Sequence, residues 1–311
     1  MSDIVTLTLN PAIDRSLWIQ SVTPDSKLRC DSPRRDPGGG GVNVCRTVQE
    51  LGGGATAIWT KGGYTGEMFE QLLDEIGVSH LPVPVAGMTR DHLIVHERAT
   101  GRSYRFQEPG PVLSDEEAAR CLRTVSGLEP PPGYLVLSGS LPQGVAEDFY
   151  AQVVRAAPDE TRIVIDTTPD ALRPALEEGV HLLKPNAREL AELAGRTVEG
   201  TQQIMEVSGE LVAAGQAEIV VTSLAAGGAI VVAGEVAEHL IAPSVRVESR
   251  VGAGDSMVAG LVLGLARGWE VLRAVRLGIA AGAAAVMDPD TGLGSRENAE
   301  RLFSQMEARA S

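Results

Sequence analysis

The sequence has few cysteines and no long apolar run. Its three cysteines, Cys30, Cys45 and Cys121, are widely spaced and odd in number, which favours reduced structural thiols over a disulfide framework. No apolar run approaches the roughly 20 residues that a membrane helix needs. Met1 is followed almost directly by an alternating strand pattern rather than by a basic and then apolar leader. We therefore expect a cytoplasmic protein without a membrane segment.

Basic residues are also fewer than acidic residues. The chain has 27 Lys and Arg residues against 41 Asp and Glu residues, a formal net charge of −14 at pH 7. The overall field repels nucleic acid and anionic membranes, so neither is expected as a partner. An anionic small molecule would need a local group of basic side chains. The 43% hydrophobic and 22% charged content is typical of a globular protein with a substantial core.

Apolar runs rich in β-forming residues alternate with helical patterns along most of the 311 residues. This alternation predicts an α/β fold, a mainly parallel sheet with helices on both faces, in one domain spanning 1–311. Two segments, about 12–35 and 88–108, alternate polar and apolar residues and predict a small antiparallel sheet, or lid. Predicted strands cover 4–9, 55–60, 134–137, 162–165, 181–183 and 218–222, and predicted helices cover 42–51, 65–76, 147–156, 187–194, 253–267, 271–287 and 296–309.

The run Val251-Gly252-Ala253-Gly254-Asp255-Ser256 precedes a small and apolar helical pattern. Free amides at such a helix start stabilise anionic charge, which suits a phosphoryl group in transfer. Asp255 could then act as a general base that accepts a hydroxyl proton. A carboxylate in the first turn is also a common helix cap, and both interpretations stay open.

A second glycine run, Gly38-Gly39-Gly40-Gly41, is followed by Val42 and Asn43 and a predicted helix. Its backbone can approach a ligand closely, but the run lacks the Gly-Lys-Ser/Thr ending of a P-loop. Asn43 falls where a dinucleotide fingerprint needs its third glycine, which argues against a dinucleotide oxidoreductase. A plain turn between a strand and a helix explains the run equally well.

Residues 184–189 follow a predicted strand, at the edge where open α/β sheets bind ligands. Asn186 and Glu189 are three apart at a helix start, so their oxygen atoms could hold Mg²⁺, partly through water. An ordinary capping box, with Asn186 as the N-cap, is an equally good interpretation.

Basic residues of the predicted lid could together clamp a substrate phosphate, although each alone could simply keep an exposed strand soluble. They are Lys27, Arg29, Arg90 and Arg105. His92 and His96 share a face of the same segment, but no third side chain accompanies them, so we do not expect a metal there.

Five motifs occur in the order found in the ribokinase-like (PfkB) sugar kinases, and the sequence resembles that family over essentially its whole length. The motifs cover 6–14, 38–43, 138–142, 184–189 and 252–255. The resemblance implies a ribokinase-like, Rossmann-type α/β/α sandwich with a small β-sheet lid. It also implies a homodimer formed through the lid, since family members often dimerise there.

The resemblance further implies ATP as co-substrate, Mg²⁺ as cofactor and a role for individual residues. Asp255 would be the catalytic base, and Gly252, Ala253 and Gly254 would form the anion hole. Substrate contacts would fall to Asp14, Lys27, Arg29, Gly39, Gly40, Asn43, Arg90 and Ser140, nucleotide contacts to Lys184, Asn186, Ser223, Gly228 and Val251, and Mg²⁺ to Asn186 and Glu189, largely through water.

Within the family, residues 6–14 resemble the branch that phosphorylates ketohexoses already carrying a phosphate. The four glycines 38–41 and residues 27–30 and 89–90 favour fructose 6-phosphate, phosphorylated at its 1-hydroxyl to fructose 1,6-bisphosphate in glycolysis. A kinase for tagatose 6-phosphate or fructose 1-phosphate, or a non-catalytic sugar-phosphate sensor, remains an alternative. Three residues depart from the family pattern: Ala225 replaces a usual glycine, Arg250 a common threonine and Gln143 a frequent proline.

Overall fold

Two sheets make up the β-structure of the computed structural model, which describes residues 3–289 and 292–310. The strands are β1 (Ile4–Thr8), β2 (Ala12–Ile19), β3 (Arg34–Gly38), β4 (Ala55–Lys61), β5 (Ser79–Pro84), β6 (Arg90–Glu97), β7 (Arg102–Gln107), β8 (Tyr134–Ser138), β9 (Arg162–Asp166), β10 (Val180–Leu183), β11 (Ala217–Ser223), β12 (Ala229–Ala233) and β13 (Val236–Leu240). The large sheet has the order β13-β12-β11-β10-β9-β8-β1-β4-β5, and the small sheet has the order β3-β2-β6-β7.

Helices connect the strands of the large sheet, and more helices follow its last strand. They are α1 (Gly40–Glu50), α2 (Gly63–Glu75), α3 (Asp115–Ser126), α4 (Phe149–Ala156), α5 (Pro169–Glu177), α6 (Ala187–Ala194), α7 (Gly200–Ala213), α8 (Ala253–Ala266), α9 (Val271–Ala285) and α10 (Arg296–Ala310). In the large sheet the strands β5, β4, β1, β8, β9, β10 and β11, in that spatial order, pair in parallel with one another. At the other edge β12 pairs antiparallel with β11, and β13 pairs antiparallel with β12. Parallel neighbours need long crossovers, which these helices supply.

The two faces of the large sheet form two hydrophobic cores. Successive side chains of a strand point to opposite faces, and in β1 Ile4 accordingly joins one core while Val5 joins the other. The first core also holds α1, α2, α8, α9 and α10, and the second holds α3, α4 and α5. All five residues of β1 are buried, as expected for a strand that is covered on both sides. The predicted α/β/α sandwich is therefore confirmed.

Helices α8 and α9 pack unusually close to each other. A Cβ atom added to Gly260 of α8 would lie 2.7 Å from the carbonyl oxygen of Leu277, and one added to Gly278 of α9 would lie 2.6 Å from that of Met257. Both glycines therefore allow one backbone to touch the other. This contact fixes the direction of α8, whose first turn carries Asp255.

The small sheet differs from the expected antiparallel arrangement at its centre. Strands β2 and β6 pair in parallel, and only the outer strands β3 and β7 pair antiparallel to them. Between β2 and β6 the chain passes through the large sheet, and such a long crossover permits a parallel pair where a hairpin would not. Residues 20–33 of the predicted lid segment contain no strand.

The three cysteines are not joined in disulfides. Cys45 and Cys121 are buried, Cys30 is exposed, and all three are free thiols. Burial raises the pKa of the Cys45 and Cys121 thiols to about 12, so both stay protonated. Over residues 3–289 and 292–310, no helix has the length and apolar character needed to cross a membrane.

Candidate active site

A cavity of about 240 Å³ lies between the small sheet and the carboxyl ends of the large sheet's strands. The small sheet contributes residues of β2, β6 and β7, and the large sheet contributes the start of α1, the end of β8 and the start of α8. Predicted site residues in its lining are Asp14, Gly39, Gly40, Asn43, Arg90, Val251 and Asp255. Five of the eight predicted substrate residues thus meet the predicted base in one cavity.

A larger open groove, of about 680 Å³, lies at the amino ends of β9 and β10. Its basic side chains have acidic or aromatic partners: Arg155 pairs with Glu178, and His181 bonds to Glu218. None of the predicted site residues is among the described residues that line this groove. Ligands of open α/β sheets bind at the opposite, carboxyl edge, where the smaller cavity lies.

Asp255 is the third residue of α8. Gly252, immediately before the helix, has φ 68, a left-handed conformation that glycine adopts without strain. Burial raises the pKa of Asp255 to about 6, the charges of Asp166 and Asp14 raise it as well, and the contacts of Asn43 and Lys184 oppose the rise. A carboxylate with this pKa is suited to accept a proton near neutral pH.

The start of α8 is held in place by Ser256. Its buried hydroxyl lies 3.3 Å from Thr47 Oγ1 of α1 and donates a hydrogen bond to the carbonyl oxygen of Leu293 at 3.2 Å. Two separate parts of the chain therefore fix the position of the helix start that carries Asp255.

Asn43 links α1 to the predicted base. Its Nδ2 donates a hydrogen bond to Asp255 Oδ2 at 2.8 Å. The amide reaches that position because α1 starts close to β1: Val42 N donates to Thr8 Oγ1 at 3.0 Å, and a Cβ atom on Gly41 would lie 2.6 Å from the same oxygen. The glycine run is thus needed for packing as well as for access to the cavity.

Arg90 brings positive charge into the cavity from β6. Its Nη2 donates to the carbonyl oxygen of Asn10 at 2.9 Å, and burial lowers the pKa of Arg90 while Asp14 opposes this shift. Within the part of the chain that the structure describes, Arg90 Nε is buried without a hydrogen-bond partner. Arg105 and His92 also line the cavity, and His92 Nδ1 lies 3.1 Å from Asp14 Oδ1. Two guanidinium groups in the lining of one cavity suit a phosphate ligand.

Lys184 lies on the other side of the α8 start. Its side chain is buried, and its Nζ lies 3.2 Å from Asp166 Oδ1. A Cβ atom on Gly254 would be 3.9 Å from the same Nζ, so the ammonium group faces the glycine run. Asp166 was not predicted from the sequence. The available signal was a carboxylate directly after the predicted strand 162–165, at the carboxyl end where ligands bind.

Asn186 and Glu189 form a capping box at the start of α6. Asn186 Oδ1 accepts hydrogen bonds from the backbone N–H groups of Arg188 and Glu189 at 3.0 Å each, and Glu189 Oε2 accepts from Asn186 N at 2.8 Å. No group of three or more His, Cys, Asp or Glu side chains able to hold a metal occurs between residues 3 and 289 or 292 and 310. The donors present fit Mg²⁺ only as a partner bound mostly by water and phosphate.

The remaining predicted nucleotide residues lie beside this capping box. Ser223 N donates to the carbonyl oxygen of Pro185 at 2.9 Å, and Asn186 and Ser223 form an isolated parallel bridge. Gly228 closes the turn that follows, since its carbonyl oxygen accepts from Leu224 N at 2.8 Å. The structure therefore brings Lys184, Asn186 and the turn 223–228 to one place.

Three predicted substrate residues are not among the described residues that line the cavity. Lys27 and Arg29 are exposed on the loop 20–33. Ser140 is exposed near the rim, where its Oγ accepts a hydrogen bond from Asn10 Nδ2 at 3.4 Å. Lys27 and Arg29 would need another position of their loop, or another copy of the chain, to reach a ligand in the cavity.

The fold and the site together define a class of protein. A carboxylate of raised pKa at a glycine-rich helix start, facing a buried lysine at the carboxyl edge of a parallel sheet, is the arrangement of an α/β phosphoryl-transfer enzyme. The profile of the pfkB family carbohydrate kinases matches residues 3–298, and the chain belongs to this family. The family resemblance predicted from the five motifs is thereby confirmed.

Known relatives extend over nearly the whole chain. The chain is 40% identical over 301 residues to ATP-dependent 6-phosphofructokinase isozyme 2 of Mycobacterium tuberculosis strain H37Rv, covering 96% of this chain and 88% of that protein. The crystal structure of phosphofructokinase-2 from Escherichia coli in complex with fructose-6-phosphate has a TM-score of 0.92 and 38% identity, and the match covers 99% of this chain and 100% of that one. The 1-phosphofructokinase of Bacillus subtilis strain 168 is 30% identical over 304 residues, 97% of this chain and 98% of that protein.

Proposed function

We propose that the protein transfers the γ-phosphoryl group of ATP to the 1-hydroxyl of fructose 6-phosphate, giving fructose 1,6-bisphosphate. The observation that carries the proposal is Asp255, a carboxylate whose pKa is raised to about 6, in a cavity that also holds Arg90 and Arg105. The names of the more similar relatives support this acceptor. We further propose that the protein carries out this reaction in the cytoplasm.

The two sides of the cavity would recognise different parts of the sugar phosphate. Arg90 and Arg105 would bind the 6-phosphate on the side of the small sheet. Asp14 and Asn43 would contact the sugar hydroxyls, since the Asn43 amide has a second N–H besides the one that faces Asp255. The small sheet would then act as a lid over the substrate. Gly39 and Gly40 would line the cavity beneath it, and Ser140 would lie near the rim of the cavity.

The 1-hydroxyl oxygen would lose its proton to the enzyme and accept the phosphoryl group from ATP. Asp255 would accept the proton of the 1-hydroxyl, and that oxygen would form a bond to the γ-phosphorus. The bond between the γ-phosphorus and the β,γ-bridging oxygen would break, and its electron pair would leave with ADP. The amides of 252–254 and the ammonium group of Lys184 would stabilise the charge on the transferred group.

The nucleotide would lie along the edge formed by Lys184, Asn186 and the turn 223–228, with Val251 beside it. Bound Mg²⁺ would supply neutralisation of the phosphate charge. Glu189, whose capping contact uses Oε2, and Asn186 would hold the ion through water.

A homodimer through the small sheet belongs to the same proposal. Val22 and Leu28, on the loop 20–33, and Phe106, on β7, are large apolar side chains that are exposed in a single chain. A partner copy would cover them and would give Lys27 and Arg29 a second cavity to approach. Phe106→Asp should convert a dimer to a monomer in sedimentation velocity, and an unchanged sedimentation coefficient would refute this interface.

The test is a phosphorylation assay with ATP and Mg²⁺ across fructose 6-phosphate, tagatose 6-phosphate and fructose 1-phosphate, with Asp255→Asn as the matched control. We expect the highest kcat/KM with fructose 6-phosphate. A preference for fructose 1-phosphate would instead support a second candidate function, that of a fructose-1-phosphate kinase, which is suggested by the 30% identity to a 1-phosphofructokinase. Tight binding of a sugar phosphate without turnover would identify a sensor.

A further inference from the structure

Arg46 has no predicted role, although it lies next to the cavity on the first helix. It is three residues after Asn43 on α1, so the two side chains share a helix face. Its side chain is only 14% exposed. Arg46 Nη1 donates hydrogen bonds to the carbonyl oxygen of Pro37 at 2.6 Å and to Asn43 Oδ1 at 3.3 Å.

The guanidinium group determines which end of the Asn43 amide faces the cavity. An arginine side chain has donors and no acceptor, so only the oxygen of the amide can face it favourably. The nitrogen of the same amide then faces Asp255, to which it donates at 2.8 Å. With the amide turned over, its oxygen would lie against the Asp255 carboxylate and the hydrogen bond would be lost.

We propose that Arg46 is a positioning residue, which holds the Asn43 amide in the orientation that stabilises the Asp255 carboxylate as a proton acceptor. The proposal deepens the proposed function, because it takes Asp255 to be the base. The chain of contacts is Arg46 Nη1 to Asn43 Oδ1, and Asn43 Nδ2 to Asp255 Oδ2.

Arg46 contacts the Asn43 amide, and that amide contacts Asp255, so the path from Arg46 to the carboxylate runs through Asn43. Asp255 is faced by Asp14 from β2, Asn43 from α1, Asp166 from the end of β9 and Lys184 after β10, and the Asn43 hydrogen bond is the larger of the two effects that lower its pKa. Arg46 itself is faced by Asp36 and Arg34 of β3 and by Asp14. Arg46 therefore acts on Asp255 through the amide that separates them.

The far side of Arg46 is anchored to the small sheet, which provides a control. Arg46 Nη2 lies 3.8 Å from Asp36 Oδ1. Arg34 donates to the same oxygen from Nε at 3.1 Å and from Nη2 at 2.9 Å. Arg34 thus shares the buried carboxylate with Arg46, but among the described residues it makes no hydrogen bond to Asn43, so Arg34→Met disturbs the anchor alone.

The direct test is the pKa of Asp255, measured by ¹³C NMR on protein carrying ¹³C-labelled aspartate, with the signal assigned by its loss in Asp255→Asn. Freeing the amide disfavours the carboxylate, because the hydrogen bond from Asn43 Nδ2 to Asp255 Oδ2 is then no longer held in place. We expect Arg46→Met to raise the pKa by roughly 0.5–1 unit, and Asn43→Ala to raise it by at least as much. In the double variant the shift should equal that of Asn43→Ala, and Arg34→Met should leave the pKa within about 0.2 unit of wild type.

Additive shifts in the double variant, an equal shift in Arg34→Met, or no shift in Arg46→Met would each overturn the proposal. Arg46→Lys keeps one charged donor near the position of Nη1 and should restore at least half of the pKa difference, whereas a purely structural role would not be rescued in this way. If Arg46→Met does not fold, Arg46→Gln replaces it with the same expected rise. The NMR readout needs no turnover, so a wild type that fails to phosphorylate any sugar phosphate would refute the proposed function and leave this test intact.

Discussion

Replacing Asp255 with asparagine should remove activity and raise stability at once. The substitution keeps the size of the side chain but removes its ability to accept a proton, and we expect kcat to fall by roughly 10²–10⁴-fold. It also removes a partly buried charge whose pKa is raised from its ordinary value of 3.8 to about 6. The two effects come from one feature of the site, since the burial that makes Asp255 a useful base also makes its charged form costly.

The size and the pH range of the stability change follow from the pKa. At 1.36 kcal/mol per unit, a rise of about two units corresponds to at most about 3 kcal/mol. The folded protein binds this proton more tightly than the unfolded chain does, so wild-type stability should fall as pH rises from about 4 to about 6. Asparagine escapes this loss, and the advantage of Asp255→Asn should be absent below about pH 4 and complete above about pH 6.

The measurement combines urea unfolding at pH 4, 6 and 8 with a pH profile of kcat for the wild type. Because Asp255 must be deprotonated to act, kcat should decline as pH falls through about 6. Asp159→Asn, on an exposed turn, is the matched control and should change neither stability nor activity appreciably. Near-normal turnover of Asp255→Asn, or a stability gain that does not depend on pH, would refute the assignment of Asp255 as a base of raised pKa.

Three further substitutions test the acceptor site and the backbone around the site. Arg90→Met should raise the KM for fructose 6-phosphate by about ten- to a hundredfold with a smaller change in kcat, because a charged contact to the phosphate is lost, and steady-state kinetics will show whether kcat falls instead. Ala225→Gly should stabilise the protein by roughly 1 kcal/mol in urea unfolding, since Ala225 has φ 50, and a loss of stability would contradict the strain. Gly260→Ala should cost roughly 1–3 kcal/mol, because its Cβ would lie 2.7 Å from the Leu277 oxygen, whereas Gly209→Ala, with open space around it, should not destabilise.

Much of the main fold follows from local sequence patterns. The predicted helix 187–194 has the bounds of α6, and the predicted strand 55–60 differs from β4 by one residue. Helix α6 carries a clear capping box and β4 is an almost wholly buried and mostly apolar run, and both signals act within a few positions of the chain. The pairing of β2 with β6 has no such local signal, and the expectation of an antiparallel centre was wrong for that reason.

The candidate site divides in the same way. The glycine runs and Asp255 were visible as motifs, because close approach and charge stabilisation at a helix start require those residue types in consecutive positions. Asp166 and Arg46 were not visible as motifs. Asp166 contacts Lys184, which is distant in sequence, and Arg46 contacts Asn43, whose own partner Asp255 is distant in sequence. For Asn186 and Glu189 the sequence allowed two interpretations, and the structure shows the capping box.

By itself, the sequence determined the α/β class, the order of its elements and the identity of the motifs, since these depend on interactions within a few residues or on a pattern that the chain shares with its family. Only the tertiary structure decided which side chains meet. The contact between Asn43 and Asp255 joins residues 212 positions apart, and it exists because β1 and the α8 start are packed against the same helix, α1. The orientation of that amide, and with it the pKa of the predicted base, is a property of the folded chain.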